Sequence, residues 1–238
     1  MGPKVSLGTV SPCVNALWTT CVAIATGLAG SGCRANTPTP AERQTVEVSL
    51  PSHGVVVGDT LAPLAIVEFG SYTCPSCERF HRKLFPTMAE KYLAPGIASY
   101  RYVDVSPTEG ARKASLLAEC LAEVSDFESA RTWVFESRRF GSYDDARDSA
   151  TLSVPVKEVS RFEQCLAAPE RDARRRAERV AAQSLGVVGT PTFLIGRRWA
   201  EGRYVGWALI GLPYAETLDR WVGEAYEVVS GEVAHADQ

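Results

Sequence analysis

The 238-residue chain lacks most of what would tie it to a membrane, a nucleic acid or a metal. No uninterrupted apolar run reaches the roughly 18 residues that a membrane-spanning helix needs. There is no basic excess: 25 Lys and Arg stand against 28 Asp and Glu, a formal net charge of −3. A general nucleic-acid binder carries a domain-wide surplus of positive charge, so that class is excluded. Histidine is scarce, and His53, His81 and His235 show no paired ligand spacing. No internal repeat is visible. An apolar content of 45% and a charged content of 22% exclude a wholly disordered or fibrous chain. At about 150 residues per domain the length allows one decorated domain or two small ones. Folding at this size buries about 70% of the unfolded surface, enough for a core that does not depend on disulfides.

What is present is a particular distribution of cysteine, at positions 13, 21, 33, 74, 77, 120 and 165. Residues 1–32 contain one charged side chain, Lys4, and a loosely apolar run from Val14 to Ala29 that ends in Gly30-Ser31-Gly32-Cys33. Weakly basic, apolar and small residues in that order read as an export signal. Cys33 after small residues resembles a lipoprotein processing site, although Gly30 stands where such sites usually carry Leu; ordinary cleavage nearby is the alternative. The Pro/Thr-rich stretch from Arg34 to Glu42 reads as a tether. Removal of 1–32 leaves Cys33 and an even set of four cysteines, as an oxidising compartment permits.

In the folded part, Leu64 to Phe69 (LAIVEF) is a short β-branched apolar run, read as a buried strand. A helix pattern follows, with Cys77, Phe80, His81, Leu84, Phe85, Met88 and Tyr92 at helical spacing and Pro86 set to kink or divide it. Ala98 to Val103 alternates as a second strand. Four helices are predicted between residues 108 and 185: Lys113–Ala122, Phe127–Phe140, Val156–Ala167 and Glu170–Leu185. In the last, Ala173, Ala177, Val180, Ala181 and Ser184 form the predicted buried stripe, with Gly186 as C-cap. Arg171, Arg174, Arg175, Arg176 and Arg179, interleaved with Glu170, Asp172 and Glu178, read as a solvated face. Thr192–Ile195 and Val205–Ile210 read as a strand pair and Pro213–Val229 as a closing helix. The order strand, helix, strand, helical block, strand, strand, helix predicts one mixed α/β sheet with helices on both faces.

The chemistry centres on Cys74-Pro75-Ser76-Cys77, a C-x-x-C pair at the junction of a strand and a helix. A structural zinc site would need two more ligands from Cys120, Cys165 or the histidines, none suitably spaced. The redox reading has a reason at each position. Cys74 sits at a helix N-terminus, where free N–H groups and the dipole stabilise a thiolate. Cys77, three residues on, shares its face within disulfide reach. Cys74 is then the nucleophile and Cys77 the resolving thiol. Thr190-Pro191-Thr192 places a proline at the start of a strand, where a cis bond can be held.

Taken together, Val67-Glu68-Phe69 leading into Cys74-Pro75-Ser76-Cys77, the Pro86 to Tyr92 helix, Gly186 to Phe193, and the helical block resemble the DsbA-like group of thioredoxin-fold disulfide oxidoreductases. The resemblance covers roughly residues 45–230. It implies a thioredoxin fold with an all-helical insertion: leader 1–33, tether 34–45, N-terminal half 46–107, insertion 108–185, C-terminal half 186–230 and tail 231–238. It makes Pro191 the cis-proline facing the disulfide and Thr190 a backbone partner of an extended substrate lying against Pro75 and Ser76. Glu68 resembles the buried acid that moves protons for Cys77; the alternative is a carboxylate that reaches solvent at a strand end. It implies reduced or unfolded exported proteins as clients, a quinone-linked DsbB-like or VKOR-like membrane protein as reoxidant, and no cofactor. The most oxidising members carry a histidine between the cysteines. Here that dipeptide is Pro-Ser, so the expectation is a moderate oxidant, between DsbA near about −120 mV and thioredoxin near about −270 mV.

Cys120 and Cys165 lie in separate predicted helices. The even count and exported context favour a structural disulfide over two merely buried thiols. His81 reads as a packed histidine. Trp133, Trp199, Trp207 and Trp221 read as core or sheet-face residues, with Trp199 a candidate for a peptide groove. The competing functions are a reductase or isomerase on the same site and, in a different class, a Cu(I) chaperone using the two thiolates and a nearby histidine.

Overall fold

The computed structural model describes residues 45–52, 54–106, 108–137 and 142–236, with side chains to residue 231. Cys13, Cys21, Cys33, His53 and the predicted leader and tether up to residue 44 lie outside the described residues, and so does the side chain of His235. Six strands form one sheet: β1 Thr45–Ser49, β2 Val56–Val57, β3 Leu64–Gly70, β4 Ala98–Asp104, β5 Thr192–Ala200 and β6 Arg203–Ile210. Their spatial order is β1-β6-β5-β3-β4-β2, with β3 and β4 parallel and every other pair antiparallel. The two parallel strands are buried along their whole length; β3 therefore reads as a nearly continuous apolar run, whereas β4 alternates because Ser99 and Arg101 are buried as polar residues on its second face.

The sequence reading begins the sheet at Leu64 with four strands; β1 and β2 correct it. β1 is five residues long and gains its definition from β6, where Val48 pairs with Tyr204 and both are buried. β2 is two residues pinned by Arg101 and Tyr100 of β4. β5 also runs to Ala200, well past Ile195. Gly196 and Gly206 face each other in the β5–β6 pair, and a Cβ on Gly196 would stand 2.0 Å from the Val205 carbonyl, so only glycine permits this approach.

Among the described residues eight α-helices surround the sheet: α1 Pro75–Lys83, α2 Phe85–Met88, α3 Glu109–Val124, α4 Phe127–Glu136, α5 Tyr143–Ser153, α6 Val159–Ala167, α7 Glu170–Ser184 and α8 Ala215–Ala236. Pro86 does divide its helix. It falls in the first turn of α2, where a missing N–H costs nothing, and a π-helical turn, Ala89–Leu93, completes the segment. α5 was not anticipated: its sequence YDDARDSATLS buries only Ala146 and Ala150, and its clearest signal is Ser142, whose Oγ accepts from the Asp145 N–H at 3.1 Å. The Val156 stretch starts as a 3₁₀ turn, Val156–Glu158, before α6.

The even-numbered residues of β3 and β4 (Leu64, Ile66, Tyr100, Tyr102) join Phe80, Phe85, Phe193 and Trp221 in the larger core, which extends without a break into the helical block through Leu117, Val134 and Phe162. The odd-numbered ones (Ala65, Val67, Phe69, Val103) pack with Ala181, Ala182 and Leu185 of α7 and with Val48 and Tyr204. Cys120 of α3 and Cys165 of α6 form a buried disulfide that closes a 45-residue separation.

The helix α7 overturns two readings. Ala173, Ala177, Val180 and Ser184 of the predicted buried stripe are exposed, while Arg175 and Glu178 are nearly inaccessible. The arginine cluster is therefore not a solvated face. Arg171 and Arg174 bind Glu119 of α3, Arg171 also binds Glu123, and Arg175 reaches Glu119 at 3.2 Å. Glu178 in turn lies 3.8 Å from Arg101 of β4. The charges at 171, 174, 175 and 178 fall at helical spacing and form a stripe of their own, satisfied by ion pairs instead of apolar contact. No helix among the described residues is long and apolar enough to cross a membrane.

Candidate active site

β3 delivers the chain to its C-terminal end at Gly70, and Ser71-Tyr72-Thr73 turns it into α1. The Cys74 N–H donates to the Ser71 carbonyl at 3.0 Å, and the Ser71 and Thr73 hydroxyls hydrogen-bond at 3.0 Å, which fixes the turn. Cys74 is the N-cap of α1, extended at φ −85° and ψ 120°, and Pro75 fills the first helical position. Pro75 is exposed and Ser76 half-buried.

The two sulfurs are reduced and sit in opposite environments. Burial pushes the half-buried Cys74 thiol up. The Thr190 hydroxyl, the N–H groups of Cys77 and Ser76 and the Cys77 thiol outweigh it and hold Cys74 below the ordinary thiol value. The Cys74 thiol also lies 3.3 Å from the Thr190 carbonyl, a contact in which the protonated sulfur donates. Cys77, one turn into the helix, is fully buried. That burial, followed by the charge of Glu68, pushes its thiol far up, against a backbone hydrogen bond from Ser71. At neutral pH the outer sulfur is the one that ionises first.

Thr190 reaches Cys74 from the opposite side of the molecule's sequence, 116 residues on. The Thr190–Pro191 bond is cis, the Thr192 hydroxyl donates to the Gly189 carbonyl at 2.8 Å, and the Pro191 carbonyl accepts from the Gly211 N–H at 2.8 Å. The loop is thus tied at both ends to the β5–β6 pair. A cavity of about 610 Å³ opens between this loop, the turn before α1 and the end of α7.

Glu68 does not reach solvent at a strand end. It is completely buried beneath the C-x-x-C helix, where Tyr100 donates to its Oε2 and the Arg131 guanidinium lies 3.4 Å away. Burial raises its carboxyl above the usual range, against the pull of Arg131 and Tyr100. Its Oε1 has no hydrogen-bond partner, and a Cβ on Gly70 would stand 2.9 Å from that oxygen and 2.6 Å from the Tyr102 ring.

Sequence reasoning missed Arg131. It comes from α4, inside the helical block, and enters the sheet's core with no exposed surface, ringed by Phe85, Tyr100, Tyr102 and Phe127 at 4.9–5.5 Å. The signal was available: Arg131 lies on the same helical stripe as Phe127, Val134 and Phe135, a charge on an otherwise apolar face.

His81 is a packed side chain. Burial, then Arg131 and Arg82, push it down to about 3, and its Nε2 meets the Thr132 hydroxyl at 3.2 Å between Phe85 and Phe135. Trp199, anticipated as a groove residue, is exposed at the far end of β5; seven strand residues separate it from the Pro191 end, roughly 23 Å. Trp207 and Trp221 are core residues in edge-to-face contact.

Comparison with known proteins places this geometry. The thioredoxin family model matches residues 51–204, more than half of the chain. A Rickettsia prowazekii protein assigned by name to the protein-disulfide oxidoreductases is 24% identical over 63% of this chain and 57% of its own length. Disulfide bond formation protein D of Bacillus subtilis is 33% identical over 38% of this chain and 40% of its own. The chain thus spans about half the length of these relatives. Among solved structures, Wolbachia pipientis α-DsbA1 superimposes with a TM-score of 0.62 at 24% identity, covering 77% of this chain and 96% of that one. Oxidised BdbD of Bacillus subtilis gives 0.58 at 19%, covering 76% and 98%. These likenesses carry the fold, and the family match carries the membership: the chain belongs to the thioredoxin family.

Proposed function

We propose that the protein is a thiol–disulfide oxidoreductase of the bacterial cell envelope that donates its Cys74–Cys77 disulfide to exported proteins. The observation that carries the reading is the opposed setting of the two sulfurs, a half-buried Cys74 at the head of α1 held below the ordinary thiol value and a buried Cys77 pushed far above it. A client thiolate attacks Cys74 Sγ of the oxidised protein, the Cys74–Cys77 bond breaks, and Cys77 leaves as a thiolate that takes a proton. A second client thiolate then attacks the client sulfur of the mixed disulfide and releases Cys74 as a thiolate. The client loses two electrons and the protein gains them. A stabilised Cys74 thiolate favours the reduced protein and so supports the oxidising direction over reduction or isomerisation.

Other features support the assignment of parts. Glu68, adjoining Cys77 in the core, would take up and return the Cys77 proton. Thr190 and the cis Pro191 would hold an extended client beside Pro75 and Ser76. Val188 and Ile210, exposed on either side of this loop, suit an unfolded apolar client. The resemblance set out above would make a quinone-linked membrane protein of the DsbB or VKOR type the reoxidant, and would place the chain at the membrane through lipid on Cys33.

A copper-holding function fits the donor set poorly. Among the described residues no group of three His, Cys, Asp or Glu could hold a metal, and His81 is occupied by Thr132. Equilibration of the Cys74–Cys77 couple against glutathione, with a peptide-oxidation assay, tests the proposal. A potential between about −120 and −200 mV supports a moderate oxidant, and one near thioredoxin's value of about −270 mV overturns the donor role.

A further inference from the structure

The cavity beside Cys74 is walled by Thr73 of the turn, Ser106 beyond β4, the last turns of α7 with Gln183, and Val188 of the following loop. Arg179 is the single charged side chain among the described residues on its wall. It also stands apart from its neighbours on α7. Arg171, Arg174 and Arg175 each end on a carboxylate of α3, and Asp172 is taken by Arg175 at 2.7 Å. Glu178 is engaged by Arg101 at 3.8 Å and Arg174 at 3.9 Å. Arg179 is half-buried on that wall and has no ion pair among the described residues.

A guanidinium that lines a cavity without an ion partner is best answered by a carboxylate, whose two oxygens match its planar fork. We infer that Arg179 is a specificity-determining residue that receives an acidic side chain of the client polypeptide, a few residues from the cysteine exchanging with Cys74. The inference rests on the oxidoreductase reading above and names its client class. No carboxylate on the described cavity wall competes for Arg179, and the exposed Val188 gives the mouth an apolar lip. The favoured client segment therefore combines cysteine, an acid and an apolar residue.

The test uses the oxidised full chain and three synthetic cysteine peptides that differ only in Asp, Asn or Lys two residues from the cysteine. Each rate of thiol oxidation is divided by that peptide's rate with a small soluble aromatic disulfide, which removes the acid's effect on the peptide's own thiol. The normalised rate is expected to be roughly three- to fivefold higher for Asp than for Asn, lowest for Lys, and less spread at high salt. In Arg179→Gln the Asp-to-Asn ratio is expected to fall to about one, and in Arg179→Lys to return most of the way. A ratio near one in the unmodified protein, or an unchanged ratio in Arg179→Gln, overturns the inference and leaves the oxidoreductase reading standing. Failure to oxidise any of the three peptides overturns that reading and the inference with it.

Discussion

Arg131 of α4 and Glu68 of β3 lie 3.4 Å apart in a setting from which both are wholly shielded from solvent. The pair spans the helical block and the sheet, and with Arg101–Glu178 it joins the part of the fold that carries the sulfurs to the part inserted within it. Truncating one partner leaves the other as an uncompensated buried charge. Arg131→Met is expected to lose about 3–5 kcal/mol of stability, read from urea denaturation midpoints. Glu68 should then stay protonated to a higher pH than in the unmodified protein. A loss below about 1 kcal/mol would show that the pair is not what holds the block to the sheet.

Cys77→Ala removes the thiol that would expel a client, so a client cysteine bound to Cys74 has no internal escape. Incubation of this variant with a peptide disulfide is expected to accumulate the mixed disulfide on non-reducing gels, and Cys74→Ala to give none. Equal trapping by both variants would remove Cys74 from its assigned role.

The alkylation rate of reduced Cys74 by iodoacetamide should follow a single titration with its midpoint below the ordinary thiol value of about 8.5. A thiol with a depressed folded-state value releases its proton more readily in the folded than in the unfolded chain. The reduced protein accordingly gains stability as pH rises through the window between the two values, and loses that contribution as pH falls through the folded one. Cys77 should remain unreactive throughout the neutral range.

Glu178 gives the opposite sign. Burial, against Arg174 and Arg101, raises its carboxyl from 4.5 to about 7, so the folded chain binds a proton there that the unfolded chain has already lost. Its charge therefore costs stability above pH 7, a cost that is relieved as pH falls toward 4.5. Glu178→Gln is expected to raise stability at pH 8 by roughly 1–2 kcal/mol and to flatten the profile between pH 4.5 and 7. Asp104, pushed up to about 6 by burial, adds a smaller slope of the same sign that this variant leaves in place.

Replacing Cys120 and Cys165 together by alanine opens a loop of about 45 residues and should cost about 3–4 kcal/mol. The potential of the Cys74–Cys77 couple should not move, because neither residue of the helical-block disulfide touches that pair. A shift of more than about 30 mV would tie the two together.

What the sequence disclosed was the part written in local chemistry. LAIVEF reads as a buried strand because every residue but Glu68 is apolar and Ile66 and Val67 are β-branched. Cys74 heads a helix because Pro75 can begin one, and Pro191 opens β5 because a strand start tolerates a residue without an N–H. The elements that stayed hidden owe their existence to distant partners. β2 is two residues that Arg101 and Tyr100 hold in place, and β1 matters only beside β6. α7 misled because charge was equated with solvent, although its arginines repeat at the spacing of a buried face and meet Glu119 and Glu123. Arg131 is an ordinary surface residue by type; its stripe with Phe127, Val134 and Phe135 marks it as inward-facing, but its partners Tyr100 and Glu68 lie across the core and far away in sequence.

The route of Arg131 into the sheet has a bearing on how such proteins diverge. A helical block without a cation aimed at position 68 would strand the buried acid of β3, and a β3 without that acid would strand Arg131. Neither module can be exchanged by itself without a matching change in the other at this contact.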